Sequence, residues 1–267
     1  VMSSGDKCYI RQGRYHEAIT IDDLDGASGS AVVFTNYNNE RVVVDGTTPI
    51  TSPWTQVGSS NIWRTKLSAD IWQLFINWEE QVMARWPNAK FSDDTIWDND
   101  NYWAKGTIDD DENAYTNGTI IDDPYTNSAG TTIDLNATGF DLDETNKQAI
   151  AILNLGSFKT WSRLVTSHSG NTFNYATVPT WKTKHHYYYL EGRKEFLDQA
   201  GEWWYDTYNN ADSLYFYAAN GVNPNRLDFR GKVQSYAFSI TGSQYVQIKN
   251  LEFFATTVYF SNGDNCL

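Results

Sequence analysis

The feature that most constrains this chain is a rhythm of very short apolar runs, present at both of its ends. Near the start, Cys8 and Ile10 are followed by Ile19 and Ile21, by Val32–Phe34 and by Val42–Val44. Between them stand Gly13, the run Asp25-Gly26-Ala27-Ser28-Gly29 and Asn36–Asn39. Near the end, the pairs Phe238/Ile240, Val246/Ile248, Leu251/Phe253 and Val258/Phe260 are each spaced by two. Thr241-Gly242, Lys249-Asn250 and Asn262-Gly263-Asp264-Asn265 separate them. A spacing of two is the strand period, because successive side chains point to opposite faces. Gly and Asn at the breaks tolerate left-handed backbone and turn the chain sharply. A helix needs apolar residues three or four apart, and neither end provides them. Short strands at close, even spacing imply stacked coils or a sandwich, and stacked coils bury a core only where neighbours cover them.

The middle of the chain breaks this rhythm. Pro49, Pro53 and Trp54 interrupt it, and Trp63–Leu67 opens a new set of strands. Ile71–Asn77 and Gln81–Arg85 read as a hairpin with Trp78, Glu79 and Glu80 at its turn. Ile133–Leu135, Ala149–Leu153, Trp161–Val165 and Phe173–Tyr175 are further strand candidates, and a short helical piece is expected near Asp143–Gln148. Tyr187–Glu191, Trp203–Asp206 and Leu214–Tyr217 are aromatic strands bounded by Gly, Asn and Asp. Pro224 and Asn225 mark a return to the first rhythm. The expected organisation is therefore residues 1–48 as N-terminal coils, 49–225 as an inserted β-rich module and 226–267 as further coils.

Three segments resemble one family. Leu197-Asp198, Gly201-Glu202-Trp203, Tyr205-Asp206 and Leu214-Tyr215 fit the pattern LD-x-x-GEW-x-YD followed by LY. Gln73–Ile76 with Ala84-Arg85-Trp86-Pro87-Asn88 is similar to QLFVDGE followed by ARWPN. Gly13, Tyr15-His16-Glu17, Tyr37 and Val44-Asp45-Gly46-Thr47 form the third. Together they resemble the N-terminal half of secreted, pectin-lyase-like carbohydrate-active proteins, with Trp78 at a turn where the family usually has Gly. The resemblance implies an all-β fold. Right-handed parallel β-helix rungs would lie at both ends, around an inserted antiparallel β-sandwich-like module. It also implies a glycoside hydrolase or polysaccharide lyase acting on acidic polysaccharide along one parallel sheet. Its catalytic residues would lie on rungs after Leu267, so the chain is expected to be a fragment. The other reading is a non-catalytic extracellular fibre or adhesin subunit that self-associates through an uncapped C-terminal rung.

Charge and composition narrow the partners. The formal net charge of −13 lacks the clustered Lys and Arg that displace counterions from nucleic acid. No apolar run is long enough for a membrane span, and mean hydropathy is −0.55. Eleven Trp supply rings either for a β-core or for sugar-stacking surfaces. Two cysteines, Cys8 and Cys266, do not make a disulfide framework; each either fills a stack or bridges to the other. Asn117-Gly118-Thr119 and Asn136-Ala137-Thr138 match the glycosylation acceptor pattern of secreted proteins.

Several residues could carry chemistry. His16 and Glu17 place an imidazole beside a carboxylate, a pairing suited to proton transfer near neutral pH or to a corner hydrogen bond. Arg85 and Trp86 could pair with an acidic sugar and stack on it, or pin the hairpin. His185 and His186 could bind sugar hydroxyls, but neighbours on a strand face opposite ways and do not share a metal. Asp109, Asp110, Asp111 and Glu112 offer oxygen ligands for calcium without EF-hand spacing, or form a solvated acidic loop. Asp198 and Glu202 pair two carboxylates in a motif that equally fixes a turn.

Overall fold

The computed structural model describes residues 2–107, 118–145, 147–156, 159–178, 187–206 and 212–267. The chain is all-β, and helix among the described residues is confined to single turns such as Asn99–Tyr102 and Leu135–Thr138. It divides into two compact units. The first holds Val1–Thr51, Ala69–Phe75 and Asp228–Leu267; the second holds Ser52–Ser68 and Ile76–Leu227. The segment 69–75, which falls inside the insertion as read from sequence, belongs to the first unit.

The first unit is built on three parallel three-stranded sheets. Lys7–Ile10 pairs with Val32–Asn36, which pairs with Val246–Lys249. Gly13–Tyr15 pairs with Val42–Asp45, which pairs with Glu252–Phe254. Ile19–Asp22 and Thr257–Ser261 flank Tyr236–Thr241. Each sheet takes one strand from each of three passes of the chain, so the first forty residues and the last thirty lie directly against one another. The period-two residues point inward: Val32, Phe34, Phe238, Ile240 and Val246 are buried in one cluster. Phe238 packs against Phe34 at 5.8 Å and Phe253 at 6.4 Å between ring centroids. Cys8 and Cys266 are free thiols packed at the edge of this cluster, so the sulfurs fill space and do not bridge.

The corners carry positive φ where the sequence predicts them, at Gly242 (64°), Asn250 (54°) and Asn262 (51°). Tyr245 (50°) and Ala255 (52°) also turn left-handed, without any signal from residue type. At Gly46 the reason for glycine is space. A Cβ there would lie 2.6 Å from the Ala255 carbonyl oxygen and 2.9 Å from that of Gln234. The next pass of backbone occupies the volume a side chain would need.

The second unit consists mainly of two antiparallel sheets over one core. The larger runs Arg85–Trp86, Tyr187–Glu191, Ile150–Asn154, Thr160–Ser169, Thr172–Tyr175 and Thr119–Ile121, with Ala104–Lys105 also on Tyr187–Glu191. The smaller runs Trp203–Asp206, Ser213–Tyr217, Ile62–Lys66 and Thr55–Gln56. Tyr188, Leu190, Ala151, Leu153 and Phe173 from the first and Trp204 and Tyr215 from the second are buried together. Tyr187–Glu191 and Trp203–Asp206, neighbours in sequence, thus lie in different sheets of that core.

Three local expectations are corrected. The hairpin turn after Leu74–Ile76 is only Asn77-Trp78, with φ of 50° and 73°, and Glu79 and Glu80 already belong to the next strand, Glu79–Gln81. Two residues at positive φ make the tight turn whose twist suits a hairpin. No helix forms among the described residues of 143–148. The helical turn is Leu135–Thr138, because Asp134 accepts from the Ala137 N–H and Gly139 closes it at φ 67°. Leu135, read as strand, is its first residue.

Candidate functional site

In the first unit, the outer face of the sheet Lys7–Ile10/Val32–Asn36/Val246–Lys249 forms a groove of about 620 Å³. It follows from alternation. Cys8, Phe34 and Val246 turn inward, so Lys7, Tyr9, Val33, Thr35, Gln247 and Lys249 must turn outward. Register sets them in rows: Lys7, Val33 and Gln247 across one level, and Tyr9, Thr35 and Lys249 across the next. Tyr9 is 54% exposed and meets Tyr37 edge-on at 6.0 Å. Arg11 lies over the Tyr37 ring at 5.0 Å, its charge held by Glu40 at 2.9 Å. The outward residues of these strands therefore put two ammonium groups, a phenol, a hydroxyl and an amide on one concave face, which Ser30 and Tyr245 also line, and the lining includes no carboxylate.

A second constellation lies where Val42–Asp45 ends. The Asp45 side chain has no exposed surface. Arg14 Nη1 donates to its Oδ2 at 2.9 Å and Arg230 Nη2 at 3.2 Å, while Thr47 donates to Oδ1 from its N–H at 2.8 Å and its hydroxyl at 2.7 Å. Burial pushes this carboxyl up, but the Thr47 and Arg14 hydrogen bonds and the Arg230 charge outweigh it and hold it below its ordinary value. His16 sits half-exposed with Nδ1 3.2 Å from the Asp45 carbonyl oxygen and 3.9 Å from Oδ2. The carboxylate facing His16 is thus Asp45. Glu17 is exposed, and its backbone carbonyl accepts from Gln234 Nε2 at 3.1 Å.

In the second unit, Arg85 is a core cation and not a sugar-facing one. It is 1% exposed, lies 3.7 Å over the Tyr189 ring, and donates to the Pro87 and Tyr102 carbonyls at 2.9 and 3.0 Å. Burial lowers it to about 10, and the same burial raises its strand partner Glu191 to about 7. Trp86 is half-buried against the rings of Phe140 and Tyr188. Glu202 is fully buried. Its Oε2 accepts the N–H groups of Asp198 and Gln199 at 3.0 and 2.9 Å, and burial raises it to about 7. Asp198 accepts from Asn88 at 2.8 Å, so the segments 84–88 and 197–206 meet there. His185, His186 and Asp109–Glu112 lie outside the described residues. Among the described residues no cluster of three or more His, Cys, Asp or Glu is placed to hold a metal.

Sequence reading missed Lys7, Tyr9, Lys249 and the role of Asp45. The lysines and tyrosine look like ordinary surface residues until strand register sets them side by side. For Asp45 a signal existed: an Asp two residues before a Thr, at the end of a fully apolar strand, suits a side chain bonding its own backbone two residues on.

No family model matches the chain, and no curated protein does. Among solved structures, one described as "Glycoside hydrolase" is similar over 94% of this chain and 43% of its own, at 16% identity and a TM-score of 0.62. A second, "The complex structure of XylC with xylose", is similar over 96% of this chain and 31% of its own, at 12% identity and a TM-score of 0.40. The chain spans less than half of either, and the first likeness is one of fold.

Proposed function

We propose that this chain is the N-terminal part of a secreted carbohydrate-active protein, built as parallel β-helix rungs with an inserted module, whose sheet face holds an acidic polysaccharide. The observation that carries the reading is the groove with Lys7 and Lys249 on a chain of net charge −13. Cations gathered on one concave face of an acidic protein attract an anionic ligand and disfavour most other surfaces. Tyr9 adds a ring face for a sugar, and Thr35 and Gln247 add hydroxyl and amide partners. The likeness of fold to a protein described as a glycoside hydrolase supports the same class.

The groove's lining has neither a carboxylate nor an imidazole, so it supplies no carboxylate pair for glycoside hydrolysis, while its lysines and tyrosines suit binding of an acidic sugar. In the full protein, glycoside hydrolysis would need its carboxylate pair from elsewhere along the sheet. The lining alone also suits a non-catalytic glycan-binding subunit. Equilibrium binding of polygalacturonate and alginate to the 267-residue protein tests the shared claim. A reducing-end and 235 nm absorbance screen on the full-length protein separates the two readings. Cleavage supports an enzyme, and binding without cleavage supports the subunit.

A further inference from the structure

Two exposed arginines of the first unit are neutralised by the chain itself: Arg11 pairs with Glu40 at 2.9 Å, and Arg41 with Glu252 at 2.8 Å. Lys7 and Lys249 line the sheet groove, and among the described residues neither meets a carboxylate. On a chain of net charge −13, cations left without a counter-charge point to an anionic ligand. Where they stand says how that ligand carries its charge.

Lys7 pairs with Val33 and Val33 with Gln247, while Tyr9 pairs with Thr35 and Thr35 with Lys249. The two lysines therefore occupy opposite corners of the face, on the strands that flank Val32–Asn36. Strands about 4.8 Å apart and a rise of about 3.3 Å per residue set their Cα atoms about 12 Å from one another. Between them the central strand offers Val33 and Thr35, an apolar group and a hydroxyl. The remaining corners, Tyr9 and Gln247, are uncharged. Leaning both long side chains inward to one anion would bring two ammonium groups together over Val33, and like charges resist that. Standing upright, the lysines meet two anions that are kept apart.

Resting on the reading that this groove holds an acidic polysaccharide, we infer that it selects one in which acidic sugars alternate with neutral ones. The diagonal between the lysines is longer than one pyranose ring, so carboxylates on adjoining sugars fall short of it. Carboxylates with one sugar between them match it better. That middle sugar lies over Val33 and Thr35. A neutral one packs its C–H side on the valine and shares a hydrogen bond with the hydroxyl. A third carboxylate in the same place gives up part of its water against Val33 and gains no cation, which weakens binding. The groove thus discriminates by the spacing of charge as well as by its sign.

Calorimetric titration of the intact 267-residue protein tests this with a tetrasaccharide of alternating glucuronate and N-acetylglucosamine, with digalacturonate and with trigalacturonate. The alternating tetrasaccharide is expected to bind about tenfold tighter than digalacturonate, with trigalacturonate between them. Lys7→Ala and Lys249→Ala each weaken the alternating ligand about tenfold. Val33→Lys, which puts a cation at the centre of the face, reverses the order and favours trigalacturonate. Unchanged thermal unfolding verifies that each variant folds, and the two lysine variants decide the matter if Val33→Lys does not. If none of the three ligands binds, the acidic-groove reading falls and this inference with it. If trigalacturonate binds as tightly as the alternating ligand or tighter while both lysines still matter, the acidic groove stands and the inference is overturned. Binding of the alternating ligand that ignores either lysine overturns it as well.

Discussion

Asp45 and Arg230 stand 185 positions apart in sequence and 3.2 Å apart in space. Arg230 follows the return from the second unit, and Asp45 precedes the departure to it. The pair fastens both ends of the excursion to the first unit. Asp45→Ala removes the acceptor and leaves the Arg230 guanidinium, itself 9% exposed, without its carboxylate. Breaking a buried pair from one side costs about 3–5 kcal/mol. Urea unfolding of the variant should show a loss of that size. A change below about 1 kcal/mol would mean the network is ornamental.

Gly46 tests the closeness of the next pass. Its missing side chain makes room for the backbone carbonyls of Ala255 and Gln234. Gly46→Ala forces backbone to shift, with an expected cost of about 1–3 kcal/mol. Gly58→Ala is the contrast: nothing lies within 4 Å of that site, but φ is 60°, so only backbone strain applies. Melting temperatures of the two variants should differ, with Gly46→Ala the lower.

Trp78 occupies a left-handed turn position at φ 73° and is 40% exposed. An L-residue there carries about 1–2 kcal/mol of strain, which glycine lacks. Glycine loses about 0.5–1 kcal/mol through unfolded-state freedom. Trp78→Gly should therefore leave stability within about 1 kcal/mol of the parent, where a Trp truncation in a core costs about 3–5. A loss in that larger range would show that ring packing, not turn geometry, fixes the residue.

Glu191 and Glu202 predict a pH dependence of the second unit. Burial raises both to about 7 from an ordinary 4.5. The folded state then holds protons that the unfolded chain releases, so stability falls as pH rises from about 4.5 to about 7 and levels off above. The effect is up to about 3 kcal/mol per group. Every tryptophan except Trp72 belongs to this unit, so denaturant unfolding followed by Trp fluorescence reports on it. Stability should be higher at pH 5 than at pH 8, and Glu202→Gln should remove about half of the difference and leave the part due to Glu191. A profile rising over that window would contradict the burial of both carboxyls.

Much of the first unit was legible because its signal is local. Alternation over Val32–Phe34 and Phe238–Ile240 fixes which side chains face inward, and Gly242, Asn250 and Asn262 mark turns by residue type. Pairing was less legible. Nothing in the residues themselves says that Tyr187–Glu191 and Trp203–Asp206 join different sheets, since that depends on partners more than a hundred positions away. The residues leave Arg85 open between a sugar ligand and a buried pin of the hairpin, because an Arg–Trp pair suits both surfaces and cores. Its burial beneath Tyr189 is a tertiary fact. The groove lysines were invisible for the same reason: Lys7 and Lys249 share a face only once Lys7–Ile10 and Val246–Lys249 flank the same strand.

The most direct test of the account is salt-dependent binding of polygalacturonate to the intact chain, compared with the Lys7→Ala/Lys249→Ala variant. The account predicts binding that weakens as added salt screens the two ammonium groups, and that is lost in the double variant while melting temperature holds. Equal binding by the parent and the double variant, or no binding of the polyanion at low salt, would contradict it.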